Sequence, residues 1–121
     1  MKKRYSLLES FSFAWRGIFK AFKKERNLKI HLLAAILAVS TGLLLKISRL
    51  EWLVLTLVIA LVMAGEIFNS SIEAGCNLIK QKLSLSYYET YWIRNFAAGA
   101  VMVLALAAFI IGLLIFLPRL F

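Results

Sequence analysis

Glu66, Asn69, Ser70, Glu73 and Asn77 form the densest run of chemically competent side chains in the sequence. Their offsets of 0, 3, 4, 7 and 11 keep them on one stripe of a helix turning about 100° per residue. Glu66 and Glu73 are two turns apart, roughly 10 Å along the axis. The stripe continues an apolar run, and ionisable groups at membrane depth are costly and mark function. A plainer reading pairs the carboxylates with Lys29 or Arg26, but one such pairing leaves most of the stripe unexplained. Glu25 supplies a third carboxylate, just ahead of the first apolar run. Carboxylates brought from separate helices to one point suit a hard cation such as Mg²⁺, which prefers oxygen ligands and often brings phosphates with it. Lysines and arginines nearby can neutralise those phosphates. A carboxylate withdrawn from water, as Glu66 would be, is a better proton acceptor for a lipid hydroxyl. These residue types are compatible with phosphoryl transfer to a lipid.

Other motifs carry less. No glycine-rich phosphate loop and no paired glycines of the dinucleotide-binding type are present. His31, at the start of the first apolar run, reads as an interface residue rather than a ligand. Cys76 is the single cysteine, so no disulfide can form within the chain, and it reads as a small packing residue. Ala97, Ala98, Gly99 and Ala100 would let neighbouring helices approach closely.

The elements that must position the stripe follow from hydropathy. With 121 residues there is room for one domain, 1–121, and 62% of them are hydrophobic. The mean hydropathy is +0.83, more apolar surface than a small soluble domain can hide. Apolar runs cover 30–45, 52–65 and 96–118, and a helix needs about 20 apolar residues to cross a bilayer core. The second run reaches that length only if its helix continues through Glu66, Asn69 and Glu73. The expected spans are 28–47, 49–78 and 92–118. A separate element at 5–24 interleaves Leu7, Phe11, Trp15, Ile18 and Phe22 with Arg16, Lys20 and Lys23, the pattern of an amphipathic helix lying in the membrane interface. The fold class is therefore all-α and integral to a membrane, a surface helix followed by three transmembrane helices. The polar segment 81–92 reads as a loop or short interfacial helix, and Pro118 as the close of the third span.

Charge sets the orientation. The net charge is +9, but its placement argues for lipid headgroups and topology rather than nucleic acid. Nine of the fifteen basic residues precede the first apolar run: Lys2, Lys3, Arg4, Arg16, Lys20, Lys23, Lys24, Arg26 and Lys29. With Lys80, Lys82 and Arg94 between spans two and three, twelve lie on one side, against Lys46, Arg49 and Arg119 on the other. The positive-inside rule puts the twelve, and the N-terminus, in the cytoplasm. The mixed N-terminal segment is not a signal peptide.

Three segments carry a family resemblance. Glu66-Ile-Phe-Asn69-Ser-Ser-Ile-Glu73 resembles the E-x-x-N-S/T-A/S-I-E signature of the prokaryotic diacylglycerol kinases and their Gram-positive relatives, the undecaprenol kinases. Residues 12–31, including Glu25, Asn27 and His31, resemble that family's surface helix and its E-x-N-x-x-x-H approach to span one. Residues 97–101 resemble the start of its third span. The match runs nearly the length of the chain in order and spacing. The Glu25-Arg26-Asn27 variant and the Phe-Leu-Pro ending lean toward the undecaprenol branch.

The resemblance implies a homotrimer in the bacterial cell membrane, with active sites shared between subunits at the cytoplasmic face. It implies ATP with Mg²⁺ as phosphate donor, and undecaprenol or diacylglycerol as the lipid alcohol. By the same resemblance Glu25 and Glu73 would hold metal and Glu66 would be the catalytic base. Glu25, Asn69, Glu73, Asn77, Arg94 and Asn95 would face the nucleotide, and Glu66 and Asn69 the lipid. The sequence departs from the pattern at three places. Asn77 stands where the family has Asp, Arg94-Asn95 where it has Lys-Asp, and Tyr87-Tyr88-Glu89 where it has a histidine-containing stretch. Each Asp-to-Asn change removes a negative charge, and arginine is not a point charge like lysine. A second reading therefore stays open: a relative that kept the fold and lost the reaction, acting in membrane assembly. A third, a small transporter using Glu66, would need that residue reachable from both faces, which its inner-end placement opposes.

Overall fold

The computed structural model describes residues 4–121. Lys2 and Lys3 of the basic flank lie outside the described residues. The described chain is helical throughout, with α1 (Leu7–Lys24), α2 (Arg26–Leu45), α3 (Arg49–Leu83), a single 3₁₀ turn (Tyr87–Thr90) and α4 (Tyr91–Leu120).

Each boundary has a local cause. Ser6 opens α1 with a capping box: its hydroxyl accepts the Glu9 N–H at 3.1 Å while its own N–H donates to Glu9 Oε1 at 3.2 Å. One residue, Glu25, leaves the helical region (φ −94°, ψ 116°) and separates α1 from α2. Lys46 ends α2 in the left-handed region at φ 52°, and the Ile47 N–H donates back to the Gly42 carbonyl at 3.2 Å. This is a Schellman closure. A second capping box, Ser48 with Glu51, then starts α3, so three residues reverse the chain. The α3 end repeats the device: Ser84 sits at φ 51° and the Leu85 N–H donates to the Lys80 carbonyl at 3.0 Å. Neither left-handed residue is glycine, so each position costs about 1–2 kcal/mol of backbone strain, offset by the carbonyls satisfied.

The helices are 20, 35 and 30 residues long for α2, α3 and α4. That corresponds to about 30, 50 and 45 Å at 1.5 Å per residue, against a hydrocarbon core of about 30 Å. All three are long and apolar enough to cross a membrane. α3 runs to Leu83, past the expected end at 78, with Lys80 and Lys82 in a last turn whose dipole favours cations. α4 passes through Pro118 to Leu120 instead of closing there. Proline removes one backbone donor, and only two helical residues follow it, so little is lost.

α4 packs chiefly along α3. At the end of the bundle formed by the α2–α3 turn, Ile47, Leu55 and Ile115 are buried together, with Ala38, Trp52, Ile111 and Phe116 against them. The same end carries an ion pair between Arg119 and Glu51. Otherwise little is covered. The accessible surface is 9626 Å², where a soluble 13.7 kDa protein exposes about 6,600 Å². Leu44, Phe68, Phe96 and Leu114 are among the large apolar side chains left outside. α1 buries none of its residues within the chain. A single chain thus has the surface of a membrane protein, with apolar faces left for lipid or for other subunits.

The tightest turn supplies a stability test. A Cβ added at Gly42 would stand 2.9 Å from Trp52 Cη2 and 3.1 Å from Ile47 Cδ1, whereas one at Gly17 meets nothing within 4 Å. Gly42→Ala should destabilise the detergent-solubilised protein by about 1–3 kcal/mol through overpacking. Gly17→Ala should be neutral or stabilising by up to about 1 kcal/mol. Thermal melts followed by circular dichroism check the opposite signs.

Candidate functional site

Because α3 overruns the hydrocarbon thickness, its polar stripe runs from apolar surroundings toward the α3–α4 turn. Burial falls along it. Glu66 is 4% exposed, Asn69, Ser70 and Glu73 are half-buried, and Asn77 is exposed. A buried carboxylate needs a partner, and Glu66 has one from another helix. Its Oε1 lies 3.2 Å from Nε2 of His31 on α2. Neither Glu66 nor Glu73 forms an ion pair with Lys29 or Arg26 among the described residues. The plain pairing considered from sequence is therefore not what holds the stripe.

One turn further on, Asn69 Nδ2 donates to Glu73 Oε1 at 3.4 Å, a long bond. The Asn69 Oδ1 is buried and has no partner among the described residues. An unsatisfied buried acceptor costs about 1–3 kcal/mol, and this one sits on the residue that donates to the half-buried Glu73.

Where α3 meets α4, Arg94 organises a second cluster. Its Nη2 donates to Asn77 Oδ1 at 2.8 Å and its Nε to Thr90 Oγ1 at 2.9 Å. Its guanidinium lies 4.9 Å from the centre of the Tyr87 ring. Thr90 is 2% exposed, and its hydroxyl donates to the Tyr87 carbonyl at 3.2 Å. Two positions that depart from the family pattern, Asn77 and Arg94, are thus bonded to each other. Three of the five guanidinium N–H groups keep no protein acceptor among the described residues. Asn95 is exposed and Glu25 half-buried, and neither side chain makes a hydrogen bond among the described residues.

Among those residues, no three acidic, histidine or cysteine side chains of one chain gather into a metal-ligand set. Glu25, Glu66 and Glu73 therefore do not converge within a single protomer. The structure does bring together Glu66 with His31, Asn69 with Glu73, and Asn77 with Arg94.

His31 is the residue that sequence reasoning undervalued. Its place in the E-x-N-x-x-x-H spacing was the available signal, but only the packing of α2 on α3 shows which carboxylate it meets. Among the described residues His31 is also the one polar residue lining an apolar cavity of about 260 Å³ between α2, α3 and α4. Small side chains on two walls, Ala34, Ala35 and Ala38 on α2 and Ala105, Ala108 and Gly112 on α4, leave this space open.

The family model described as prokaryotic diacylglycerol kinase matches residues 12–116. The undecaprenol kinase of Bacillus subtilis is 38% identical over 112 residues, spanning 93% of this chain and 89% of that protein. The diacylglycerol kinase of a Synechocystis species is 36% identical over 116 residues, spanning 95% of this chain and 65% of that protein. No solved structure matches the chain significantly.

The Arg94 cluster predicts a structural cost separable from chemistry. Arg94→Ala removes the hydrogen bond that ties the start of α4 to Asn77 on α3, together with a hydrogen bond to Thr90 and a cation–π contact with Tyr87 in the turn before α4. It should lower stability by about 1–3 kcal/mol. Arg94→Lys keeps the charge without the fork and should fall between parent and alanine. Denaturation of the three proteins in one detergent gives the order.

Proposed function

The chain belongs to the prokaryotic diacylglycerol kinase family, and from that premise we propose that it transfers the γ-phosphate of ATP to a membrane lipid alcohol, undecaprenol in preference to diacylglycerol. Family and relatives make it a lipid kinase, a phosphotransferase. The observation that carries the specific reading is Glu66: a carboxylate buried at membrane depth, held by His31 at one end of an apolar cavity. From there the stripe continues through Asn69 and Glu73 to Asn77 and Arg94. A lipid tail in the cavity and a nucleotide at the polar end would bring hydroxyl and phosphate together near Glu66, which supplies the basicity for removing the hydroxyl proton.

The donor set suits Mg²⁺. Glu73 and Glu25 are carboxylates without ion-pair partners among the described residues, and the Asn69 Oδ1 is an unpartnered buried oxygen. Glu25 and Glu73 would hold the ion, whose chemistry is to offset charge on the transferring phosphate. The free N–H groups of Arg94, with Asn77 and Asn95 beside it, face the nucleotide in this reading. Positioning and charge neutralisation carry most of a phosphoryl transfer.

A homotrimer completes the site. Two features support it: among the described residues no three acidic, histidine or cysteine side chains of one chain form a metal-ligand set, and large apolar side chains remain outside. The basic flanks place the N-terminus and the α3–α4 turn on the cytoplasmic side of the bacterial cell membrane. α1 then lies in the interface, with Trp15 and Phe19 at headgroup depth. Both relatives are named as kinases, so the reading of a non-catalytic relative is not favoured.

Purified protein in detergent with ATP, Mg²⁺ and undecaprenol should yield the lipid phosphate, faster than with diacylglycerol. No lipid phosphate from either, under conditions where the Bacillus subtilis relative works, overturns the proposal. Subunit sharing has its own test. Glu25→Gln and Glu73→Gln chains, each inactive alone, should recover about a quarter of the parent rate when mixed at random before assembly. Sites contained within one protomer would recover nothing.

A further inference from the structure

Starting from the kinase reading above, we infer that Thr90 is a positioning residue. With Asn77 it aims the guanidinium of Arg94 at the phosphates of the nucleotide, through neutral acceptors that leave the guanidinium charge for those phosphates.

Thr90 stands where a threonine ordinarily has another task. It is the N-cap of α4, and an N-cap hydroxyl usually accepts a backbone N–H from the first turn of its helix. Here it makes no such bond. Its backbone, at φ −109° and ψ 8°, carries the 3₁₀ turn directly into α4. The residue is 2% exposed, and its hydroxyl donates back to the Tyr87 carbonyl at 3.2 Å while accepting from Nε of Arg94 at 2.9 Å. Both directions are forced, because a carbonyl only accepts and a guanidinium only donates. A buried hydroxyl bonded on both sides has one orientation, and it fixes the side chain one turn further along α4.

Two more contacts complete the hold. Nη2 donates to Asn77 Oδ1 on α3 at 2.8 Å, and the Tyr87 ring covers one face, its centre 4.9 Å from the guanidinium carbon. Nη1 keeps both of its N–H groups and Nη2 keeps one, without protein acceptors among the described residues. Free N–H groups on both terminal nitrogens can meet two phosphate oxygens at once.

The charge is left over as well. Arg94 is half-buried, and no carboxylate forms an ion pair with it among the described residues. A charged side chain drawn out of water is ordinarily paired with an opposite charge. Two neutral oxygens hold this one in direction without offsetting it, so the charge remains for an anionic ligand at the polar end of the α3 stripe. Asn77 then has its own reason to be an amide: a carboxylate there would pair with Arg94 and compete with the phosphates.

The test uses the full-length protein in detergent, with ATP, Mg²⁺ and the better lipid. Thr90→Val keeps the shape and removes the hydroxyl. It should raise KM for ATP about tenfold and leave KM for the lipid unchanged. Thr90→Ser should restore the parent's KM. A role confined to stability would lower the amount of active protein and leave KM where it was. In an Arg94→Lys background, Thr90→Val should add less than about twofold, because lysine has no fork to aim. An unchanged KM for ATP in Thr90→Val, or the same tenfold rise in the Arg94→Lys background, overturns the inference. Asn77→Asp alters only an exposed position and tests the neutral acceptor without disturbing a buried one. It should raise KM for ATP, and a fall overturns the inference. Titration of each protein with ATP and Mg²⁺ in the absence of lipid, followed by ³¹P NMR, should show the same changes in Kd. A parent that binds ATP with these changes but forms no lipid phosphate overturns the kinase reading and supports the inference. A parent that binds no ATP overturns both.

Discussion

The molecule is organised around one expensive group, a carboxylate placed where water is scarce. A polar group withdrawn from water must be compensated by a hydrogen-bond partner of good geometry, and Glu66 finds that partner on a different helix. This requirement sets the packing of α2 against α3 at the level of His31. Beside that pair, small residues on α2 and α4 leave a cavity with apolar walls. The contact between His31 and Glu66 is therefore a structural tie and the head of a candidate reaction site at once.

The local devices at the helix ends serve that placement. Two capping boxes and two Schellman closures define where α1 begins and where α2, α3 and α4 meet. They do so with serines, glutamates, Lys46 and Ser84, and no glycine occupies a left-handed position. The short α2–α3 reversal forces the two helices to run side by side from one end. The apolar cluster at Ile47, Leu55 and Ile115 and the Glu51–Arg119 pair hold that end closed. α3, the longest helix, carries the stripe from the apolar region to the α3–α4 turn, where Arg94, Asn77 and Thr90 bind the two helices again. Held at both ends, α3 presents Asn69 and Glu73 between two fixed points.

What one chain lacks is as informative as what it holds. Its apolar side chains are mostly uncovered, Glu66 and Glu73 on α3 and Glu25 at the α1–α2 break form no three-residue metal-ligand set among the described residues, and one buried amide oxygen has no partner among them. Lipid satisfies the first condition. A neighbouring subunit and a bound nucleotide would satisfy the other two, and the same surface can be asked to do both.

The three spans, their order and the polar stripe on the second were legible in the sequence, because each depends on periodicity within a single helix. A run of apolar residues and an offset of 3, 4, 7 and 11 mean the same thing in any surroundings. The family was legible too, since its signature is a local string of residues on that stripe. The helix ends were read less closely: α3 continues to Leu83 and α4 runs through Pro118, because closure by Ser84 and tolerance of a near-terminal proline are decided residue by residue. Only the tertiary structure decided who touches whom. That His31 rather than Lys29 or Arg26 meets Glu66, that Arg94 bonds Asn77, and that the Asn69 oxygen is left unpaired all depend on how helices dock. Those contacts join residues up to 35 positions apart, and no local pattern encodes the rotation and register at which two helices pack.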